Sequence, residues 1–162
     1  MDKKDDSVYV GAMVPQDTAS AALNSDWVSM KYFNHAEIII VKAAGAVGEA
    51  PTITLKQATA IAGTGSKALN FTSYTRRTAA DITSTSIPTK TTQAATNALT
   101  LAAGNTQEVI VIEFDAQNLD AHNGFNCFRV EFGDVGTTAQ LAAVVVRLSE
   151  CGYNPYLVNA GA

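Results

Sequence analysis

From Trp27 onward the chain alternates apolar and polar residues with a period of two, the spacing that turns one face of a strand toward a core. Three stretches carry the pattern most cleanly. In Glu108–Asp115, Ile110, Ile112 and Phe114 share a face; in Cys127–Phe132, Phe128, Val130 and Phe132 do; in Leu141–Leu148, Val144, Val146 and Leu148 do. Thr52–Lys56 aims Ile53 and Leu55 inward, and Ala68–Arg77 does the same with Leu69 and Phe71. Glu37–Ala43 (EIIIVKA) is apolar at both parities, so it predicts a central strand covered on both sides or lying at a subunit interface. With Trp27–Phe33 and Leu99–Leu101, about eight short strands result, and no long stretch carries a helical period. The expected fold class is all-β, an antiparallel β-sandwich of jelly-roll type.

Two regions stand apart. Residues 1–24 read as an extended N-terminal arm, with the apolar patch Val8-Tyr9-Val10 followed by Met13, Val14 and Pro15. Residues 25–162 read as the sandwich itself. An arm of this kind is either disordered or ordered only against a neighbour, and removing it is expected to leave the sandwich folded. Residues 78–97 are rich in Thr and Ser and predict a long loop crossing the sandwich, with at most a short edge strand.

Composition narrows the field. Charged residues are 16% of the 162, well below the usual quarter, so the surface loses little by being buried against a partner. Net charge is −4, and the only adjacent basic residues are Lys3-Lys4 and Arg76-Arg77, which argues against direct nucleic-acid binding. No apolar run approaches the ~20 residues of a membrane span. The opening residues carry charges rather than a signal-peptide core, so synthesis and folding in a cytoplasm are expected. Cys127 and Cys151 read as small half-buried thiols in a reducing compartment, with pairing a minor alternative. His35 and His122 stand far from both in sequence, so no metal site and no cofactor are expected.

Candidate chemistry thins on inspection. The stretch AGTGSKALNF (62–71) resembles a phosphate-binding loop, but Ser66 separates Gly65 from Lys67, and the residues after it alternate as a strand. It predicts a turn in which Gly63 and Gly65 supply positive φ. The loop DAQNLDAHNG (115–124) fails as a calcium loop, because Leu119 and Asp120 occupy the fifth and sixth positions; Asp120 instead caps a short turn, and Asn123-Gly124 redirects the chain. Glu113, Asp115 and Glu131 could form a carboxylate pair but equally mark solvated strand faces. The expectation is that the protein is not an enzyme. Val109 and Val111 lie opposite the core parity, as do Ile38 and Ile40 if Ile39 and Val41 face inward. An apolar outer face on a charge-poor protein points to oligomerisation or docking, unless residues 78–97 cover it.

Two longer runs carry a resemblance: "AEIIIVKAAGAVGEAPTITLKQATAIAGTGSKAL" and "EFDAQNLDAHNGFNCFRVEFGDVGTTAQLAAVVVRLSECGYNP". Together spanning roughly Tyr32 to Pro155, they resemble a family of small virion proteins of tailed bacteriophages. The resemblance implies a jelly-roll decoration, or cement, protein on the outer capsid surface. It also implies the major capsid protein as partner and a homo-oligomer, commonly a trimer. It carries over no catalytic residue. The arm residues Val8, Tyr9, Val10, Met13 and Val14 are then the expected anchors on the capsid or on a sister subunit, through strand addition. Two other roles are compatible with the same fold: a neck, tail or fibre-base component, and a carbohydrate-binding jelly-roll module. The latter needs clustered aromatics, and Tyr74, Tyr153 and Tyr156 are its candidates.

Overall fold

The computed structural model describes residues 7–19, 21–79, 87–134 and 136–151. Among them are twelve strands: β1 (Val8–Asp17), β2 (Leu23–Asn24), β3 (Val28–Ser29), β4 (Phe33–Lys42), β5 (Thr52–Ala58), β6 (Lys67–Ala68), β7 (Phe71–Ala79), β8 (Thr89–Thr96), β9 (Ala98–Thr100), β10 (Gln107–Asp115), β11 (Cys127–Phe132) and β12 (Leu141–Cys151). One sheet runs β1-β12-β4-β10-β7-β8, and the other runs β2-β11-β5-β6, with β3 added on β11 and β9 on β5. Every pairing is antiparallel. The protein is therefore all-β, with more strands than the eight expected. The surplus comes from β1, from the two-residue pairings at β2 and β6, and from β8, which the Thr-rich stretch supplies.

The core lies between the sheets. Ile38, Ile40, Ile110, Ile112, Val144 and Val146 from the larger sheet meet Ile53, Leu55, Phe128, Val130 and Phe132 from the smaller, all at most 1% exposed. Phe114 stands edge-on to Phe128, their centroids 4.9 Å apart, a favoured aromatic geometry. Each such side chain contributes about 1.5–3 kcal/mol by leaving water. The alternation in β5, β10, β11 and β12 points inward as their sequences predict. In β4 the parity is the reverse of the one considered: Ile38 and Ile40 are buried, while Ile39 and Val41 face out. Trp27–Phe33 yields only the short β3 and the first residue of β4.

The segment read as a separate arm is, over Val8–Asp17, an edge strand of the larger sheet. It pairs with β12 from Val8↔Leu148 to Asp17↔Leu141 through two irregularities. Ala12 and Met13 are buried in the core, and Thr18 donates from both its N–H and its hydroxyl to the Gln140 carbonyl, at 3.0 and 2.9 Å. The reason is that β12 would otherwise be an open edge beside the most apolar strand of the protein. Removing residues 1–24 therefore strips β1 and β2 from the sandwich rather than a detachable tail. Residues 1–6 lie outside the described residues.

One end of the sandwich holds buried charge. Lys42 and Glu108, partners across β4 and β10, are 1% and 2% exposed. Lys42 donates from Nζ to the carbonyls of Ala43 (3.1 Å) and Thr106 (2.7 Å). Glu108 pairs with Arg76 at 2.7 Å and accepts the Ala102 N–H at 2.7 Å. Burial holds the Lys42 pKa below the ordinary lysine range, and the Glu108 carboxylate pulls it back up. Nearby, Gly104 passes so close to Ala46 that a Cβ would sit 1.8 Å from its carbonyl oxygen; only glycine fits there. Two outcomes follow. Glu108→Ala leaves two cations facing an uncompensated pocket and lowers unfolding free energy by about 3–5 kcal/mol in urea titration. Gly104→Ala, whose Cβ meets rigid backbone, costs about 1–3 kcal/mol or more in the same measurement.

Candidate docking surface

The two sheets present opposite kinds of outer face. On the smaller sheet the outward side chains form a charged ladder. Glu131 lies 3.0 Å from Lys56 and is also hydrogen-bonded by Arg129, whose guanidinium stacks 4.7 Å from the Trp27 ring centre. Gly63 leaves room for that indole, since a Cβ there would come within 2.7 Å of it. Farther along, Lys67 joins Asp120 in an ion pair and lies 4.1 Å from the Phe125 ring centre. The lysine of the glycine-rich stretch is thus held by the loop opposite, and Gly63 and Gly65 have φ of +78° and +64°, as a turn requires.

The larger sheet differs. Its antiparallel register aligns Val145, Ile39, Val111 and Thr75 in one outward row and Ala143, Val41, Val109 and Arg77 in the next. Val41 is 37% exposed and Leu141, on the same side, 50%; Ile39, Val109, Val111 and Val145 are partly exposed. The water side of an antiparallel sheet is ordinarily polar, so six aliphatic residues in two adjacent rows are out of place for a face that meets only water. Of the stretch 78–97, residues 89–96 form β8 and extend this sheet sideways instead of covering it; residues 80–86 lie outside the described residues. A row of charge bounds the patch. Arg147 bonds Glu37 at 2.9 Å, Glu113 is exposed next to it, and His35 lies 2.8 Å from Asp115. His35 therefore belongs to β4, not to a turn.

The sequence-derived candidates separate in space. On β1, Tyr9 and Val14 are 64% and 66% exposed, Val8 and Val10 are half-buried, and Met13 is in the core. Glu113 and Asp115 lie on the outside of the larger sheet and Glu131 on the outside of the smaller, so the three carboxylates do not converge. Tyr74 is half-buried with the Arg76 guanidinium 5.2 Å from its ring centre; Tyr153 and Tyr156 lie outside the described residues. Cys127 and Cys151 lie on different sheets and form no disulfide with one another, and burial raises the Cys127 pKa while a hydrogen bond with Ser29 opposes it. The loop 115–124 makes two short 3-10 turns, closed by Gly124 in the left-handed region. A polar hollow of about 250 Å³ beside it is lined by Asn34, Asp115, Ala116, Gln117 and Glu150. Among the described residues no group of three or more His, Cys, Asp and Glu side chains could hold a metal ion. Sequence reading missed the Lys42–Glu108–Arg76 cluster, although Lys42 at the core parity of EIIIVK was a usable signal.

No family model and no curated protein matches this chain. Among solved structures it is similar to the SPBc2 prophage-derived protein YomS, at 11% identity over 90% of this chain and 97% of that one, with a TM-score of 0.46.

The surface carboxylates set an acid limit. For Asp120, hydrogen bonds from Lys67 and then Asn123 hold the pKa low. For Asp17, backbone N–H groups of Gln140 and Ala19 do so. Burial alone would raise the Glu131 pKa, but Lys56 and Arg129 outweigh it and the net shift is downward. Depressed acids stabilise the fold fully above the unfolded carboxylate range, and that contribution is lost as pH falls through their folded values. Thermal midpoints are therefore expected to stay level from pH 7 to about 5 and to fall below about 4. In Glu131→Gln the fall should be shallower.

Proposed function

We propose that this chain is a structural component of a bacteriophage virion, a jelly-roll protein that decorates and stabilises the outer surface of the head through contacts with the major capsid protein. The observation that carries the reading is the aliphatic outer face of the larger sheet, which suits a protein that works packed against other protein. The strand order supports the jelly-roll assignment: the first strand pairs with the last, and the order β1-β12-β4-β10 faces β2-β11-β5-β6, with β7–β8 as an added hairpin. The two long runs that resemble phage virion proteins supply the location. In this reading the protein performs no bond-making chemistry, and its ion pairs serve the fold.

Of the five residues expected to anchor the N-terminal strand, the exposed Tyr9 and Val14 are the ones that would touch a shell, since Met13 is committed to the core. Strand β1 is an edge, so its outer main-chain groups can bond an extended capsid segment, each bond contributing about 1 kcal/mol net. Repetition over a lattice converts such weak contacts into retention through avidity.

The test mixes purified chain with undecorated heads and follows co-sedimentation and the distribution of label by electron microscopy. Many copies spread over the head are expected. A few copies confined to the neck or tail would favour the fibre-base role and overturn decoration, as would no binding at all. Tyr9→Ala with Val14→Asp is expected to weaken head binding at least about tenfold while the thermal midpoint stays within a few degrees.

A further inference from the structure

We infer that the end of the sandwich where β4 begins and β10 and β12 finish is a binding site for a neutral oligosaccharide. The inference goes beyond the packing reading given above and does not depend on it. Two hollows adjoin there, sharing Asn34 and Ala116. One is the polar hollow of about 250 Å³ beside the 115–124 loop. The other, of about 240 Å³, is lined by half-buried Phe33 and Phe125 together with buried Met30 and Leu119. Small-ligand sites commonly span about 300–1,000 Å³, a range that either hollow misses and the two side by side reach.

The polar side chains are available to a ligand. Asn34, Gln117 and Glu150 are exposed, and no hydrogen bond or ion pair engages their side chains among the described residues. Asp115 is bonded to His35 through Oδ1 at 2.8 Å and caps the first 3-10 turn, so it brings charge to the hollow more than a bond. Glu150 departs from its strand: Leu148, its neighbour in parity, is buried, whereas Glu150 has φ of +56° and stands exposed at the rim. Left-handed backbone at a residue other than glycine is a kind of strain that gathers at ligand clamps. In the second hollow, Lys67 takes one face of the Phe125 ring, 4.1 Å from its centre, and the hollow borders the rest.

The chemistry selects the ligand. The amides of Asn34 and Gln117 both donate and accept, while the carboxylates of Asp115 and Glu150 only accept. An excess of acceptors suits a ligand rich in O–H donors, and the two negative charges turn away phosphates, sulfates and acidic sugars. The neighbouring hollow favours C–H groups packed against aromatic rings. A sugar chain presents both, with hydroxyls around the edge of each ring and C–H groups on its faces. An extended peptide would bond along a sheet edge, whereas these hollows lie at the ends of strands. The aromatics of the site are Phe33 and Phe125 rather than the tyrosines singled out from the sequence.

The probes are neutral cello-, malto- and chito-oligosaccharides, di- to tetrasaccharides, with heparin and oligogalacturonate as charged controls, each titrated against the full chain by NMR. Saturable binding of a neutral probe is expected, with Kd on the order of 0.1–1 mM for a half-open site that buries only part of its ligand. Asn34→Ala and Gln117→Ala, which remove only exposed amides, should each weaken it about three- to tenfold and leave the thermal midpoint unchanged. Phe125→Ala should weaken it about threefold or more; if that change unfolds the chain, the two amide variants decide. No neutral probe bound at about 10 mM overturns the inference, whether the hollows are then bare or covered by residues 152–162. Binding of the charged controls alone overturns it too, as does neutral binding that both amide variants leave unchanged. Co-sedimentation with undecorated heads is a separate readout, so the decoration reading stands or falls without this one.

Discussion

Strand β4 is hydrogen-bonded on both sides, to β12 and to β10, along nearly its whole length, and the rest of the molecule is arranged around that position. A strand in the middle of a sheet cannot turn its backbone to water, and EIIIVK has aliphatic side chains for both faces. The inward ones are satisfied by the smaller sheet, whose Phe128, Val130 and Phe132 fill the space between layers. The flanking strands need partners in turn. β12 takes β1, and β10 takes the β7–β8 hairpin, so the larger sheet reaches six strands. The buried cross-strand neighbours Lys42 and Glu108 close this ladder at one end, where two polar side chains occupy positions that the alternation assigns to the core.

Much of this was legible in the sequence because β5, β10, β11 and β12 each have one apolar parity and one polar parity. The inward face of such a strand has a single answer. β4 has two apolar parities, and there the pattern could not choose. Register chose instead, by setting Ile38 and Ile40 beside Ile112, Ile110, Val146 and Val144. β1 was hidden for a different reason. VYVGAMVPQD interrupts its alternation with Gly11 and Pro15, and the bulges that accommodate them are invisible to a period-two reading. The Thr-rich β8 lacks any apolar face, so only its position beside β7 gives it strand geometry.

The surface was legible in chemistry but not in layout. The sequence supplied few charges and some misplaced aliphatics. It could not say that the charges would gather on the smaller sheet, as the Lys56–Glu131–Arg129 ladder, or that the aliphatics would line up in two rows on the larger. That alignment depends on the register of three strands that are distant in the chain. The contrast leaves one face that tolerates water without cost and one that is most stable when covered.

The pairing of β1 with β12 also has a consequence for how the chain is born. Thr18 and Gln140, bonded in the finished fold, are 122 positions apart, so β1 has no partner until β12 has left the ribosome. At about 5–20 residues per second that delay lasts several seconds or more. For much of it the Ile-rich segment at 38–40 lacks both of its neighbours, since β10 is made about 65 residues later and β12 later still. The larger sheet thus closes only once β12 has emerged, and keeping the nascent chain from clumping in the meantime falls to the cell that makes it.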